Sequence, residues 1–510
     1  MCICTNYSKE KNRVKKSSSK NIGIVGAGIG GLAVAIRLAL KGHRVTVFEA
    51  GDDVGGKLSE LRAQGFRFDK GPSLFTMPGL VDDLFRKAKK NPRNYFQYRR
   101  LDPVTKYFFA DQTEFSVPAD PVEFAKNGSQ FFNVPEAEIK RVLQTASKQF
   151  LQTKEPFLEK PIKSIFSIFT LENLPLFFKL RRFKIFQTLH ERNQNSFSSP
   201  KLVQIFDRLA TYSGSSPFES SGILQQTAHL EYNIGAFLPE GGMYSISKAL
   251  KQLALDLGVE FNFNSKVSKI SVHQGKVRSL KVGFLEQPYQ IIICNADNHT
   301  AYDTILQNAS SHIVDDRKEE PKSSAPLVFY WGMKGNFPQL DVHNILFSAD
   351  YEKEFAEIFD SSVAPSDPTI YINITSKVVH SDAPEGHENW FVMINVPPRE
   401  KKDNWFEKRE KLRKLIMKKI QDRLGINVLD HLVFEDFLDP YTLEKSNGAY
   451  RGSIYGNRSI GAWSMFKRQP NESPITGLYF VGGTVHPGGG IPLVLSSAKI
   501  TANLILGKNS

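Results

Sequence analysis

The chain has 510 residues, more than one hydrophobic core usually serves, so at least two domains are expected. Hydrophobic residues make up 41% and charged residues 23%, which excludes a largely disordered chain. A net charge of +13 suits nucleic acid or an anionic membrane face; no nucleic-acid-binding module accompanies it, so a membrane surface is the expected partner.

Residues 1–20 carry Lys9, Lys11, Arg13, Lys15, Lys16 and Lys20 against Glu10 alone and read as a disordered basic tail. The tail has no apolar run of the kind a secretory signal needs. Cys2 and Cys4 lie in it and Cys294 sits in an apolar run, so neither a disulfide framework nor zinc spacing is expected. Nowhere do about 18 uncharged apolar residues run together, which predicts no spanning helix and a cytoplasmic location.

The first strong signal spans residues 21–56. A strand over Ile22 to Val25 runs into Gly26, Ala27, Gly28, Ile29, Gly30 and Gly31, then into a helix over Leu32 to Leu40. Gly42 ends that helix, and a second strand, Arg44 to Phe48, leads to Glu49. This is the pattern of a dinucleotide turn: Gly26 allows the tight bend, Gly28 lets backbone N–H groups approach a pyrophosphate, and Gly31 lets helix and strand pack closely. Glu49 would take the hydroxyls of the adenosine ribose.

Directly after the second strand come Gly55, Gly56 and Lys57, which resemble the glycine-glycine-basic extension of the amine-oxidase-like FAD superfamily. The resemblance implies FAD as cofactor, with backbone along its phosphates and flavin and Lys57 as a phosphate or flavin contact. Farther on, GFRFDKGPSLFTMPGLVDDLF (65–85) places Asp69, Gly71 and Pro72 in a turn between a strand and a helix start. The segment FDKGPS, with the glycine turn and the C-terminal GLYFVGGTVHPGGGIPLVLSSAKITANLI (477–505), is similar to the bacterial-type carotenoid desaturases, the phytoene desaturase family of flavoproteins. Phytoene desaturases tend to carry aromatic residues after this motif. Leu74, Phe75, Thr76, Met77 and Pro78 stand here instead and look more like the branch acting at the 3,4 bond of hydroxylated carotenoids.

Residues 100–120 alternate polar and apolar positions and read as a hairpin that could join a substrate-domain sheet. From Pro135 to Gln194 the pattern turns helical. Phe157, Phe166, Phe169, Phe177, Phe178, Phe183 and Phe186 interleave there with Lys160, Lys163, Lys179, Arg181, Arg182 and Lys184. Such a segment can lie in a headgroup layer with its rings toward the acyl chains. In FLPEGGMYSISKALKQLALDLGVEFNFNSKVSKI (237–270), Gly241, Gly242 and Met243 precede a helix over Tyr244 to Leu257, followed by a strand over Glu260 to Phe263. By the resemblance, Val267 matches the position whose backbone brackets the adenine. The run QIIICNAD (290–297) resembles the family's strand and turn near the cofactor, making Asn295 and Ala296 secondary site candidates.

Four strand signals between Pro326 and Pro397 suggest an antiparallel sheet forming one wall of a substrate tunnel. His343 and Asn344 in the second resemble a family motif, and His343 is read as a satisfied structural residue rather than a catalyst. Residues 402–424 read as a helix packed on the surface. At the C-terminus a strand, a glycine-rich loop with Gly482, Gly483, Gly488, Gly489 and Gly490, and a helix starting near Ile491 return the chain to the cofactor. Pro492 fits a first turn, and the helix N-terminus would favour negative charge on a reduced flavin. Thr484 stands where many of the wider superfamily keep an Asp.

No nucleophile elbow, metal spacing or Walker loop stands out. The expected fold is α/β: a Rossmann-type FAD-binding domain with an inserted α+β substrate domain. The expected division is a tail (1–20), FAD-binding segments (21–125, 226–300 and 470–510), a helical docking segment (126–225) and a substrate domain (301–469). The resemblance implies an FAD-dependent carotenoid desaturase acting on a C40 polyene, leaning to the 3,4 bond of a 1-hydroxycarotenoid. Phytoene desaturase is the alternative; a carotenoid isomerase and a non-catalytic carotenoid-binding flavoprotein are more distant. Quinone or oxygen is the implied electron acceptor, and the inner face of the cell membrane the implied location.

Overall fold

The computed structural model describes residues 19–161, 183–306, 320–464 and 467–507. Most of the basic tail, with Cys2 and Cys4, lies outside the described residues. So do Lys163, Phe166, Phe169, Phe177, Phe178, Lys179, Arg181 and Arg182 of the expected docking segment.

Three distant stretches of chain meet in one five-stranded parallel sheet. Its order is Leu478–Phe480, Ile291–Cys294, β1 (Asn21–Val25), β2 (Arg44–Phe48) and Glu260–Asn262. A parallel sheet covered on both faces wants apolar runs without alternation, and IGIV, VTVF and IIIC supply them. On one face lie helix α1 (Ile29–Ala39) and the helices Tyr244–Asp256 and Ile491–Ile505. Leu32, Ile36 and Leu250 are fully covered there, each contributing about 1.5–3 kcal/mol relative to exposure. The other face is covered by the antiparallel strands Val267–His273, Lys276–Val282 and Leu285–Pro288, which bring Val267, Ile270 and Leu280 against Phe48 and Ile292.

The second unit is built on a seven-stranded sheet, ordered Leu432–Leu438, Ala325–Lys334, His387–Val396, Ile370–Ile374, His343–Leu346, Thr105–Phe108, Glu114–Val117. All neighbours are antiparallel except His343–Leu346 and Thr105–Phe108; the four strands expected between Pro326 and Pro397 pair antiparallel with one another, as expected. The hairpin read at 100–120 does pair into this sheet. Its pairing differs from the expected domain boundary at 125, because the chain leaves the nucleotide unit before Thr105. The second boundary also shifts: Tyr232 and Ala236 pack in the cap's core, and Phe237–Pro239 is the strand that pairs back onto Tyr98–Arg100.

Trp405–Leu424 covers the sheet's outer face, burying Leu412, Ile416 and Ile420 against Phe329, Trp331 and Trp390. The inner face sets Val328, Tyr330 and Phe391 against Phe66 and Phe68 of the short hairpin Glu60–Ala63/Phe66–Asp69. Buried Arg67 ties the two units together. It pairs with Asp69 at 2.7 Å and with Asp382 at 2.6 Å, while Asp69 accepts the Met243 N–H at 3.0 Å. Burial opposes the guanidinium's charge, but the two carboxylates outweigh it and raise the pKa.

Candidate functional site

The glycine turn is held by backbone bonds from Gly26 N to Phe48 O at 2.8 Å and from Gly55 N to Ala27 O at 3.0 Å. A Cβ on Gly31 would lie 2.2 Å from the Gly26 carbonyl oxygen, so helix α1 can approach the turn only with glycine there. Helix α1 starts with no side-chain cap and no acidic residue in its first turn, which leaves its positive end suited to an anion. Glu49 closes the turn from the end of β2: Oε2 accepts the Ala27 N–H at 2.7 Å and Oε1 the Gly51 N–H at 2.9 Å. Ser265 N donates to the Glu49 carbonyl at 2.7 Å, which sets the strand beginning at Val267 beside that carboxylate.

Asn295 connects this turn to the C-terminal loop. Its amide oxygen accepts the Gly28 N–H at 3.3 Å and its nitrogen donates to the Val481 carbonyl at 3.2 Å. A Cβ on Gly30 would come within 2.6 Å of that amide and one on Gly482 within 3.0 Å. A secondary candidate in the sequence, Asn295 is thus the side chain on which both glycine segments converge. Cys294, one residue earlier, is enclosed in apolar surroundings that push its thiol pKa up to about 12, leaving it unreactive. Gly483 packs against Gly489, and a Cβ on Gly489 would overlap the Tyr455 ring at 2.0 Å. Ile491 opens the last helix after Gly490, again without a side-chain cap or an acidic first turn.

Lys57 is not a solvated surface lysine. Its Nζ donates to the Ile454 carbonyl at 2.8 Å, and burial lowers its pKa against the pull of Asp297. Arg468, which the sequence did not single out, reaches the next residue: Nη1 donates to Tyr455 O at 3.0 Å and to Gly483 O at 3.4 Å, and burial lowers its pKa to about 10. Arg468 and Tyr455 stand in no motif, and only the fold brings them to the glycine loops. Two uncapped helix starts, a cradle that a Cβ would fill, the Glu49 carboxylate and two enclosed cations fit a dinucleotide with an anionic pyrophosphate.

His343 is buried. Its Nδ1 lies 2.7 Å from the Tyr371 hydroxyl and 3.2 Å from Asn373 Nδ2, and burial followed by the charge of Arg208 pushes its pKa down to about 3. Among the described residues no helix is long and apolar enough to cross a membrane, and no group of three or more His, Cys, Asp or Glu is placed to hold a metal.

The family profile described as flavin containing amine oxidoreductase matches residues 29–506. A 1-hydroxycarotenoid 3,4-desaturase from Flavobacterium sp. (strain P99-3) is 42% identical, covering 96% of this chain and 99% of its own. A 4,4'-diapolycopene oxygenase from Methylomonas sp is 30% identical over 97% of this chain and 99% of its own. Among solved structures, cyclohexylamine oxidase from Brevibacterium oxydans IH-35A superposes with a TM-score of 0.60 at 14% identity, covering 96% of this chain and 99% of its own, a likeness of fold. The chain is an FAD-dependent oxidoreductase and belongs to the flavin containing amine oxidoreductase family.

Proposed function

We propose that the protein is a carotenoid desaturase that removes two hydrogens across the 3,4 bond of a 1-hydroxylated C40 polyene. The observation that carries this reading is the 42% identity, over nearly the full length of both chains, to a 1-hydroxycarotenoid 3,4-desaturase. The inner face of the seven-stranded sheet supports it. Phe391, Met393, Tyr371 and Leu74 lie between the two units and offer an apolar wall to a long hydrocarbon.

Bound FAD supplies the two-electron acceptor for this oxidation. In this reading Gly26, Gly28, Gly30, Gly31, Gly55 and Gly56 line its phosphates with backbone, and Glu49 takes the ribose. Val267 brackets the adenine, while Lys57, Gly482, Gly483 and the helix start at Ile491 serve the flavin end. The cap orients the polyene and keeps water from the reacting bond. Quinone or oxygen takes the electrons onward. The Phe-, Lys- and Arg-rich segment docks the protein on the inner face of the cell membrane; of its described rings Phe186 is 65% exposed, whereas Phe157 and Phe183 are buried and serve packing instead.

The test is to express the chain over three backgrounds, supplying phytoene, lycopene or a 1-hydroxylated carotenoid, and to separate the pigments. The expected result is a red-shifted product, lighter by two hydrogen atoms, only in the hydroxylated background. Coloured products from phytoene would make it a phytoene desaturase; isomerised substrate of unchanged mass, or bound pigment without turnover, would contradict desaturation.

A further inference from the structure

A buried polar cluster lies in the cap, assembled from four distant segments. Arg208 pairs with Glu231, whose second oxygen accepts the Tyr212 hydroxyl at 2.7 Å. The guanidinium stands 5.6 Å from the Tyr107 ring centroid and 5.7 Å from that of Tyr212. Tyr107, Ile345 and Tyr371 are register neighbours across three adjacent strands, and His343 lies two positions from Ile345, so Tyr107, Tyr371 and His343 share one face of the sheet. A chain of short contacts then leads back to the FDKGPS loop. His343 Nδ1 meets the Tyr371 hydroxyl at 2.7 Å, and that hydroxyl meets Ser73 Oγ at 2.7 Å. Two residues before Ser73, a Cβ on Gly71 would strike the Lys57 carbonyl oxygen at 1.9 Å, so the loop rests on the cofactor-binding segment.

Two donors in this cluster have no acceptor. Asn373 Nδ2 donates to the Val342 carbonyl at 2.9 Å, which fixes its amide as a donor toward His343 Nδ1 as well. The neutral imidazole therefore carries its proton on Nε2, and that N–H is buried with no partner. Arg208 Nε–H is likewise buried and unmatched, with Arg208 8% and His343 2% exposed. An unmet buried donor costs about 1–3 kcal/mol, so two in one cluster call for an acceptor. Tyr371 and Ser73, which link the cluster to the FDKGPS loop, stay partly uncovered.

We propose that this cluster recognises the hydroxyl at the end of the polyene, the unmatched N–H groups of Arg208 and His343 supplying its hydrogen bonds. The inference rests on the desaturase reading above. The carbon bearing a 1-hydroxyl lies two C–C bonds, each about 1.5 Å, from C3. A recognition site one short contact chain from the FDKGPS loop would therefore set the 3,4 bond, rather than a bond farther along, at the reacting position. A hydrocarbon terminus would leave both donors unpaired.

The test uses the purified FAD-loaded protein with a 1-hydroxylated C40 polyene and the same polyene lacking the hydroxyl. Both binding, followed by the polyene's own absorbance, and kcat/KM are measured. Wild type is expected to prefer the hydroxylated polyene about 100-fold or more. His343→Asn keeps a group at the Nδ1 position and deletes the Nε2 donor; it should lower both preferences about 10-fold, while His343→Gln, which restores a donor near Nε2, recovers most of the loss. If both His343 variants fail to retain flavin, Tyr371→Phe carries the test and should also lower the preference. Wild type that converts both polyenes equally overturns the inference and leaves desaturation standing, as it would if only water filled the cluster. An unchanged preference in the variants does the same. Wild type that converts neither overturns the desaturase reading and this inference with it.

Discussion

Around the glycine loops, the polar groups facing the cofactor space are largely backbone N–H groups and helix starts; in the cap, they are the side chains of Arg208, Glu231, Tyr212, His343 and Tyr371. The first arrangement depends on the absence of side chains, so adding one there is expected to be severe and local. The second depends on pairing between side chains in a poorly solvated interior, above all Arg208 with Glu231, so removing one partner strands the other.

The largest effect is expected at Gly31. Gly31→Val would drive a side chain into the Gly26 carbonyl, with loss of flavin absorbance and more than about 4 kcal/mol of stability. Gly28→Val sharpens the comparison, because its Cβ meets only the end of the Asn295 amide at 2.9 Å. The fold should survive by circular dichroism while flavin retention falls, and full flavin absorbance would overturn the placement of the pyrophosphate. Next comes Arg208→Met, which strands the Glu231 carboxylate and should cost about 3–5 kcal/mol in urea unfolding. The double variant Arg208→Met/Glu231→Gln should recover much of it, and equal losses in both would show that the pair is not the source.

A smaller effect follows from His343. Its folded pKa of about 3 lies below the unfolded value of 6.5, so below pH 6.5 the unfolded chain takes up a proton that the native state refuses. Stability is therefore lost as pH falls from 6.5 toward 3, by about 2 kcal/mol at pH 5. Comparing urea midpoints at pH 7.5 and pH 5, His343→Asn should lose less than wild type; parallel losses would count against a neutral buried imidazole. The smallest effect on the fold is expected from replacing Arg181, Arg182 and Lys184 together with Glu. Thermal stability should hardly move while the protein leaves anionic liposomes in flotation, and undiminished flotation would remove that segment as the dock.

The same division governs what could be read from the amino acids. The strands flanking the glycine turn lie within a residue of expectation, and Ile491 opens its helix as the motif implied, because turn, strand and helix signals are local. The strand Leu432–Leu438 was not anticipated: Glu435 and Asp436 interrupt its apolar pattern, and only the fold shows Glu435 accepting the Trp331 Nε1–H at 2.8 Å. Arg208 and Glu231 are charges 23 positions apart that stand in no motif, and only the fold pairs them. His343 fits the expected satisfied histidine at Nδ1, which is paired, and departs from it at Nε2, which is not.

The most direct measurement of the central claim is an anaerobic single turnover of the purified protein with a 1-hydroxylated C40 polyene, recording flavin and polyene absorbance together and weighing the product by mass spectrometry. Desaturation predicts that the flavin bleaches as the polyene absorbance moves to the red, with a product lighter by two hydrogen atoms. A flavin that stays oxidised, beside a polyene of unchanged mass, would contradict it.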